Sequence, residues 1–475
     1  MVEYRVSIGL ETHVQLSTRS KIWCGCPNVF GSPPNTDVCP VCLGYPGTMP
    51  VLNREAVKLT VRTGLFLGST INRVSKFDRK SYFYPDMPKN YQISQYDQPL
   101  CTGGQVVIEV DGRPKTIRID RIHLEEDVAK NVHFEGGSGV DFNRAGTPLM
   151  EIVSEPDMES AEEAFAYLQA LKQMLVYGGV SEANLEQGNM RCDINCSVRP
   201  VGQEQLGVKT EIKNMNTFKG VFRSLSYEIE RQIEVLRRGG SIQQETRRWD
   251  EERGVTRAMR SKEYAHDYRY FPEPDLLPVQ LDAAEIEVWR AEIPEMPAQR
   301  RQRLVAEFGL PEYDAGVLVA ERSVADFFEH TARASGNPKA ASNWIMTEVL
   351  RHLAETDESI ASVRITPDQL AALIRLIDRQ VVNQTGAKEV FAALMEQGGD
   401  PETIVQERGL AQVLDEDALG EWVRAAVAEN PRSVADYRAG KKAALQHLMG
   451  QVMRASRGKA NPPLVLEALR RALDE

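Results

Sequence analysis

The stretch YRVSIGLETHVQL, Tyr4–Leu16, alternates between apolar and polar side chains. Its even positions are Tyr4, Val6, Ile8, Leu10, Thr12, Val14 and Leu16, and its odd positions are Arg5, Ser7, Gly9, Glu11, His13 and Gln15. Because side chains alternate across a strand, this pattern predicts a β-strand with one face on a core and the other in a polar space. Glu11 and His13 would project side by side from the polar face and could bind a divalent cation. The alternative is an exposed sheet face with incidental charges.

Three later stretches repeat this alternation with charged residues on one face. They are TIRIDRIHLEEDVAK (116–130), MRCDINCSV (190–198) and VKTEIKN (208–214). In the first, the apolar positions change parity near 120–121, which predicts a β-bulge. The polar faces carry His123, Glu125 and Asp127 with Glu126 near the end, then Arg191, Asp193 and Asn195, then Lys209, Glu211 and Lys213. We expect a shared polar cleft in which carboxylates hold Mg²⁺ and cations hold phosphate oxygens; exposed sheets also carry mixed charges, which is the alternative.

The segment KFDRKSYFYPDMPKNYQISQYDQPL, Lys76–Leu100, interleaves aromatic rings with lysine and arginine. Its three prolines exclude a continuous helix. Cations neutralise phosphate and aromatic rings stack on bases, so the composition favours a cleft for a phosphate-bearing, stackable ligand. The alternative is a proline-rich loop whose aromatic side chains pack on a nearby sheet.

Four of the seven cysteines form two close pairs, Cys24-x-Cys26 and Cys39-x-x-Cys42. The intervening PNVFGSPPNTDV is rich in turn-forming residues, so the pairs can fold back on each other. This spacing predicts a structural four-cysteine zinc site, whose filled coordination sphere leaves no position for catalysis. The alternative is four buried, unligated cysteines. Cys192 and Cys196 share one parity with Ile194, which indicates core packing.

Composition bounds the class of protein. The 475 residues, 42% hydrophobic and 26% charged, are ordinary for a globular protein of two to four domains. No apolar run reaches the roughly 20 residues of a membrane span, and the N-terminus does not resemble a signal peptide, so a cytoplasmic location is expected. The net charge of −11 argues against a uniformly basic surface, although a local basic patch would suffice to bind nucleic acid.

Organisation changes near residue 290. Strands and polar loops dominate before it, ending in the tyrosine-rich run SKEYAHDYRYFPEPDLLP (261–278), and three-to-four spacing typical of helices follows. We therefore predict an α+β protein with a mixed or antiparallel β-rich domain at 1–293, a helical domain at 294–405 and a small helical tail domain at 406–475. The tail is locally basic, which indicates either a nucleic-acid contact or a solvated helical face. The basic residues are Arg432, Arg438, Lys441, Lys442, Arg454, Arg457 and Lys459.

Several familiar motifs are missing from the sequence, including a P-loop, a dinucleotide-binding G-x-G-x-x-G after a strand, a G-x-S-x-G elbow and an H-E-x-x-H helix. Instead, the chain resembles the GatB family, the B subunits of bacterial tRNA-dependent amidotransferases. The resemblance is carried in one order by IGLETHVQL, KFDRKSYFYPDMPKNYQISQYDQPL, HLEEDVAK, DFNRAGTPLMEIVSEPD, MRCDINCSVRP, EIKNMNTF, YRYFPEPDLLP and GKKAALQHLMGQVMRASRGKANP. These segments span essentially the whole chain.

The resemblance implies a cradle-like catalytic domain, a helical domain and a tail domain that contacts tRNA. It also implies the chemistry: ATP phosphorylates the side-chain carboxylate of Glu-tRNA(Gln) or Asp-tRNA(Asn), and ammonia displaces the phosphate to form the amide. Mg²⁺ screens the charge between ATP and that carboxylate. The metal ligands implied are Glu11, His13, Glu125 and Glu151, with Glu126 as an uncertain neighbour. Contacts to nucleotide, acyl phosphate or the tRNA 3′ end are implied for Lys80, Tyr82, Lys89, Arg191, Asp193 and Lys213.

The sequence shows no glutaminase nucleophile constellation, so a partner must supply ammonia. The resemblance implies a heterotrimer in which an amidase A subunit releases ammonia from glutamine and a small C subunit holds the pair together. The zinc cysteines occur in only some family members, so the family's catalysis does not depend on them. Two alternatives stay open: a non-catalytic tRNA-binding platform, and a metal-dependent hydrolase.

Overall fold

The computed structural model describes residues 2–185, 187–213, 215, 217–259, 268–356, 358–413, 415–456 and 458–474. Residues 261–267 of the tyrosine-rich run and Arg457 of the basic tail lie outside the described residues. The chain forms two compact units, Met1–Pro297 and Ala298–Glu475. The first is rich in strands and the second is helical, which confirms the predicted α+β class. The finer division into three domains stays a prediction.

The first unit is built on one large mixed sheet. Its strands are β1 (Tyr4–Gln15), β2 (Thr70–Ile71), β3 (Val74–Ser75), β4 (Asp78–Ser81), β5 (Tyr91–Ser94), β6 (Cys101–Thr102), β7 (Gln105–Val110), β8 (Arg113–Glu126), β9 (Lys130–Phe134), β10 (Gly137–Asp141), β11 (Pro148–Ser154), β12 (Met190–Pro200), β13 (Thr210–Lys213), β14 (Glu245–Asp250), β15 (Val255–Ala258), β16 (Phe271–Pro272) and β17 (Val279–Gln280). The large sheet has the order β15-β14-β13-β12-β1-β11-β8-β6-β2, with β7 also paired to β8. All these neighbours are antiparallel except β13 and β14. Smaller sheets pair β16-β4-β5, β10-β9 and β17-β3.

Strand β1 lies at the centre of this sheet, between β11 and β12. Ile8, Leu10 and Val14 are completely buried on one face, whereas His13 and Gln15 on the other are only partly buried. The alternation read from the sequence is therefore confirmed. A central strand of this kind holds its polar side chains rigidly, because it is hydrogen-bonded along both edges.

The predicted bulge in the second charged strand is also confirmed. Val153 of β11 pairs with Arg121 of β8, but the next residue, Ser154, pairs with Ile119. Asp120 is therefore the extra residue. The bulge shifts the parity of β8, so that Ile117 and Ile122 can both be buried although they lie five positions apart.

Helices α1 (Arg54–Phe66), α2 (Ala161–Tyr177), α3 (Phe218–Arg237) and α4 (Ala283–Ala291) complete the first unit. Ser160 caps α2 by accepting a hydrogen bond from the Glu163 backbone N–H at 3.2 Å. Tyr167 and Leu171 of α2 are completely buried in the same apolar cluster as Ile8 of β1. This packing covers one face of the sheet and leaves polar side chains on the other.

Among the residues described, the regular elements of the second unit are all helices. It contains α5 (Pro297–Phe308), α6 (Glu312–Leu318), α7 (Arg322–Ser335), α8 (Pro338–Trp344), a wider π turn at Ile345–Val349 that leads directly into α9 (Leu350–Thr356), α10 (Pro367–Asp378), α11 (Gln384–Gln397), α12 (Pro401–Glu407), α13 (Glu416–Glu429), α14 (Pro431–Arg438), α15 (Lys442–Ala455) and α16 (Pro462–Asp474). Two apolar clusters form within it, one at 304–405 and one at 419–473. None of the helices described combines the length and apolar character that a membrane crossing requires.

Candidate functional site

One row of side chains crosses four neighbouring strands of the large sheet. Arg191 of β12 lies opposite His13 of β1, and His13 lies opposite Glu151 of β11. Glu151 in turn lies opposite His123 of β8. Because directly opposed residues project to the same face of a sheet, the strand register alone gathers these four side chains.

Three side chains from this region form a group that could hold a metal ion, here called the cation cluster: His13, Glu125 and Glu151. One ligand atom from each lies within 4.8 Å of the others. The His13 Nε2 atom is 3.4 Å from Glu151 and 3.7 Å from Glu125. The Ser94 hydroxyl donates to Glu125 at 3.0 Å and orients it. Two carboxylates and an imidazole suit a divalent cation whose remaining ligands are water or substrate.

His123, which the sequence analysis placed on the polar face but did not assign to the site, adjoins this cluster. Its Nε2 atom is 3.2 Å from Glu151 and 3.7 Å from Glu125. Burial opposes protonation of His123, but the two carboxylates outweigh it and raise its pKa to about 9. Burial similarly opposes protonation of His13, and the hydrogen bond and charge of Glu151 raise its pKa. In the absence of a metal ion, protons on His13 and His123 therefore balance the negative charge of Glu125 and Glu151.

Glu125 and Glu126 point to opposite sides of β8. Both carboxylate oxygens of Glu126 accept from the Lys89 ammonium, at 2.6 and 2.5 Å, and one also accepts from the Ile93 backbone N–H. Glu126 and Lys89 thus pair with each other rather than with the cation cluster. Of the two neighbouring glutamates, Glu125 is the one that lies in the cation cluster, and its role as a metal ligand stays a prediction.

A second group beside the cluster centres on Asp127, whose side chain is only 2% exposed. It accepts hydrogen bonds from Arg144 and Arg191, each at 2.7 Å, and from Gln15 at 2.8 Å. Burial would raise the pKa of Asp127, but Arg191 and Arg144 hold it well below its usual range. Arg144 and Arg191, here called the arginine pair, share one carboxylate and remain 30% and 46% exposed. The group therefore presents net positive charge to the polar face.

The other predicted residues of the sheet are distributed around these two groups. Glu11 accepts from the Asn195 side chain at 2.9 Å and lies outside the cation cluster. Asp193 pairs with Lys213 at 2.9 Å, and Glu211 lies 3.1 Å from the same ammonium. Burial opposes the charge of Lys213, but these two carboxylates raise its pKa.

Lys80 and Tyr82 lie on the aromatic segment singled out in the sequence. The Lys80 ammonium lies 4.9 Å from the centre of the Tyr268 ring. Burial disfavours the charge of Lys80, but Glu125, Glu151 and two nearby tyrosines together outweigh burial and raise the pKa of Lys80. The Lys80 ammonium therefore interacts with the two carboxylates of the cation cluster. Tyr82 stacks on Tyr84 with ring centres 6.0 Å apart. The segment reaches the sheet through other contacts, from Lys89 to Glu126 and from Ser94 to Glu125 at the end of β8.

The four cysteines of the two pairs converge, as their spacing predicted. The Cys42 sulfur lies 3.4 Å from Cys24 and 3.7 Å from both Cys26 and Cys39. Sulfurs on a tetrahedral zinc ion, at about 2.3 Å from the metal, would be about 3.8 Å apart, so the donor set fits. The hydrogen bond from Cys24 lowers the pKa of Cys42 to about 4, with a contribution from Lys21. Cys192 and Cys196 are buried in the core, as expected.

The basic residues of the tail lie on or beside α14 and α15. Arg432, Arg438, Arg454 and Lys459 are exposed or partly exposed, and Lys441 pairs with Asp436 at 2.9 Å. The side chain of Lys442, like Arg457, is outside the described residues. The described part of the tail therefore presents positive charge on two consecutive helices.

Comparison with known proteins finds a family match in each of the two units. Residues 6–287 match the family described as the GatB/GatE catalytic domain, and residues 326–473 match the GatB domain. The chain is 53% identical to a protein of Thermoanaerobacter sp. (strain X514), 52% identical to one of Caldicellulosiruptor saccharolyticus and 50% identical to one of Brevibacillus brevis. Each match covers the whole of both chains, and each relative is named as the B subunit of an aspartyl/glutamyl-tRNA(Asn/Gln) amidotransferase.

Proposed function

Because this chain belongs to the GatB/GatE family, we infer that it acts as the B subunit of an aspartyl/glutamyl-tRNA(Asn/Gln) amidotransferase. The match over the full length of the chain carries this inference. The reaction converts the side-chain carboxylate of Glu-tRNA(Gln) or Asp-tRNA(Asn) into an amide in two steps. ATP first transfers its γ-phosphoryl group to the carboxylate, releasing ADP, and ammonia then displaces phosphate from the acyl phosphate. The enzyme is a carbon–nitrogen ligase with glutamine as amido donor.

The cation cluster is our proposed Mg²⁺ site, held by His13, Glu125 and Glu151. We propose that Glu11, two positions before His13 on β1, contacts the ion through water. A bound Mg²⁺ would screen the repulsion between the polyphosphate and the carboxylate of the substrate. Ser94 and His123 keep the two glutamates oriented through hydrogen bonds and charge. This preorganisation means that the carboxylates need not rearrange when a cation arrives.

The arginine pair is our proposed phosphate contact. Asp127 fixes one edge of each guanidinium, which leaves other N–H donors of Arg144 and Arg191 for phosphoryl oxygens. Lys80, which faces the cation cluster, would contact the same polyphosphate or the developing acyl phosphate. Tyr82 is proposed as a stacking surface for adenine or the tRNA 3′ end. Lys89, Asp193 and Lys213 are already paired with glutamate, lysine or aspartate partners, so we propose that they position the cleft.

Ammonia must come from elsewhere. Four cysteines form the metal-binding group, and burial raises the pKa of Cys101 and of Cys192 to about 12 and also raises that of Cys196. Buried thiols of this kind are poor nucleophiles for a glutaminase. We therefore propose that an amidase A subunit releases ammonia from glutamine, that a small C subunit completes the heterotrimer, and that the basic tail contacts the tRNA. We place this complex in the cytoplasm.

The cysteine group is proposed as a structural zinc site. Its four thiol ligands would complete a tetrahedral sphere, so the ion would stabilise the loop rather than take part in the reaction. Zinc is thus separate from the Mg²⁺ that acts on phosphate.

The test uses the chain purified with its A and C subunits and supplied with ATP, Mg²⁺, glutamine and Glu-tRNA(Gln). ADP and Gln-tRNA(Gln) are followed for wild type and for Glu151→Gln, with the exposed surface change Glu162→Gln as the matched control. We expect ADP and Gln-tRNA(Gln) to appear together in wild type and control and to fall together by about 10²–10³-fold in Glu151→Gln. Normal amidation by Glu151→Gln would instead favour a tRNA-binding platform, and turnover without ATP or tRNA would favour a hydrolase.

A further inference from the structure

Lys21 is a lysine with no surface exposure and no carboxylate partner among the residues described. Its side chain is completely buried between the cysteine group and the segment that follows β10. The ammonium donates to the Cys42 sulfur at 3.6 Å and to the Phe142 backbone carbonyl at 3.3 Å. In the part of the chain that the structure describes, these two atoms are its hydrogen-bond acceptors.

A buried ammonium requires a compensating negative charge. Removing a charged group from water costs several kcal/mol unless it is paired, and a neutral thiol or a carbonyl supplies only a dipole. Thiolates would supply the missing charge. Four thiolates on a divalent cation carry a net charge of −2, and one ammonium against a sulfur reduces this to −1.

We propose that Lys21 is the counter-charge of the cysteine metal centre. Its ammonium donates to the metal-bound thiolate of Cys42 and offsets part of the negative charge that four thiolates concentrate on one ion. The proposal goes beyond the amidation reaction and depends only on metal binding by the four cysteines. Partners of this kind that surround metal ligands typically change metal affinity by 10–100-fold.

The same lysine connects the metal centre to the polar face of the sheet. Its second acceptor, Phe142, begins the short turn that ends at Arg144, a member of the arginine pair. The neighbouring Ile22 N–H donates to the Gly146 carbonyl at 2.8 Å, and the Gly146 N–H donates to the Asp127 carbonyl at 3.0 Å. Lys21 therefore holds the cysteine loop and the Arg144 turn at a fixed separation.

The experiment measures metal retention in the full-length chain and its Lys21→Met variant. Zinc release to a chromogenic chelator gives the dissociation rate, and the cobalt-substituted chain gives the energy of the sulfur-to-cobalt charge-transfer band. We expect Lys21→Met to release zinc at least about 10-fold faster and to shift that band to lower energy, because uncompensated thiolates are easier to oxidise. Lys21→Arg, which keeps the charge, should remain close to wild type in both readings.

Two further variants separate charge from packing. Lys21→Gln can keep the hydrogen bond to Phe142 without the charge, so it should behave like Lys21→Met, and it serves in place of that variant if methionine prevents folding. Lys58→Met removes an unrelated lysine that pairs with Glu292 and should leave both readings unchanged. A lower melting temperature with an unchanged release rate and an unchanged band in Lys21→Gln would overturn the proposal, as would a wild-type chain that binds no zinc.

Discussion

The two candidate metal sites of this chain are built in opposite ways. The cation cluster stands on central strands of a large sheet, where the register of β1, β8 and β11 fixes each ligand. The cysteine group stands on a loop with little regular structure between β1 and α1. Hydrogen bonds between paired strands hold the first in place, whereas the second depends on loop contacts such as the bond from the Lys21 N–H to the Cys26 carbonyl at 2.9 Å.

This difference predicts different consequences of metal removal. A site on paired strands keeps its geometry when empty, which suits a cation that enters and leaves with each nucleotide. A loop site gains its order from the ion, so metal binding and local folding are one process. We therefore expect the cation cluster to act as a reusable site and the cysteine group to act as a permanent cross-link.

The largest expected effect concerns the rate of the reaction and tests the cation cluster. Glu151→Gln removes one carboxylate from the cation cluster without changing its size, so amidation should fall by about 10²–10³-fold, as it does when a single transition-state contact is lost. The sheet pairing is unaffected but the contacts of Glu151 with His13 and His123 are lost, so the melting temperature should fall only modestly. Rates of Gln-tRNA(Gln) formation and a thermal melt measure the two quantities. Glu162→Gln is the control, and a large fall in melting temperature would contradict the view that the cluster is held by the sheet alone.

The next largest effect concerns the stability of the fold and tests the cysteine group. Cys39→Ser removes one of the four proposed zinc ligands, so stabilisation by the metal should be lost. That stabilisation amounts to about 2.7 kcal/mol when free zinc is 100 times its dissociation constant. Denaturant unfolding with and without a zinc chelator measures the loss, which should occur in wild type and not in the variant. Cys192→Ser, in the core, should instead keep its response to chelator.

Limited proteolysis locates the same effect. Chelator should expose the segment 24–42 to cleavage while the affinity of the sheet for Mg²⁺ stays unchanged. Equal loss of Mg²⁺ affinity on zinc removal would show that the two sites are not independent.

A smaller effect tests the buried carboxylate that fixes the arginine pair. Asp127→Asn keeps the shape of the side chain but leaves Arg144 and Arg191 without their shared charge, which should cost about 1–3 kcal/mol of unfolding free energy. The Michaelis constant for ATP should rise more than that for tRNA if the pair binds the polyphosphate. Asp157→Asn, which breaks a surface pair with Arg118, is the matched control. Equal changes in both Michaelis constants would indicate a structural role only.

The sequence predicted the parts of this arrangement that depend on local pattern. Alternation indicated the faces of β1, the change of parity revealed the bulge at Asp120, and the spacing of the cysteines predicted their convergence. Each of these signals lies within one short stretch of the sequence. The direction of Glu125 against that of Glu126 needed the three-dimensional structure, because a shift of one residue reverses every side chain of a strand.

The rest depended on contacts between distant segments. Arg144 reaches Asp127 from a short turn that has no periodicity. The residues on either side of Lys21 form no sequence pattern that would single it out. His123 shares its parity with Glu125 and was visible on the polar face, but its contact with Glu151 arises from the pairing of β8 with β11. Such sites become recognisable only when burial and charge are seen together.

The smallest expected effect is a pH dependence that arises at the cation cluster. The pKa of His123 is raised from 6.5 to about 9 in the metal-free fold, so its charged contacts with the two glutamates stabilise the protein fully below pH 6.5. This stabilisation should be lost as the pH rises through about 9, and His123→Gln should remove that part of the pH dependence. The measurement is the unfolding free energy of metal-free wild type and variant between about pH 6 and pH 10.

Bound Mg²⁺ replaces the protons that balance the carboxylates, so Mg²⁺ should bind more tightly as the pH rises and should release protons on binding. Titration calorimetry in buffers of different ionisation enthalpy detects that release. If no protons are released, His13 and His123 are already neutral before Mg²⁺ binds.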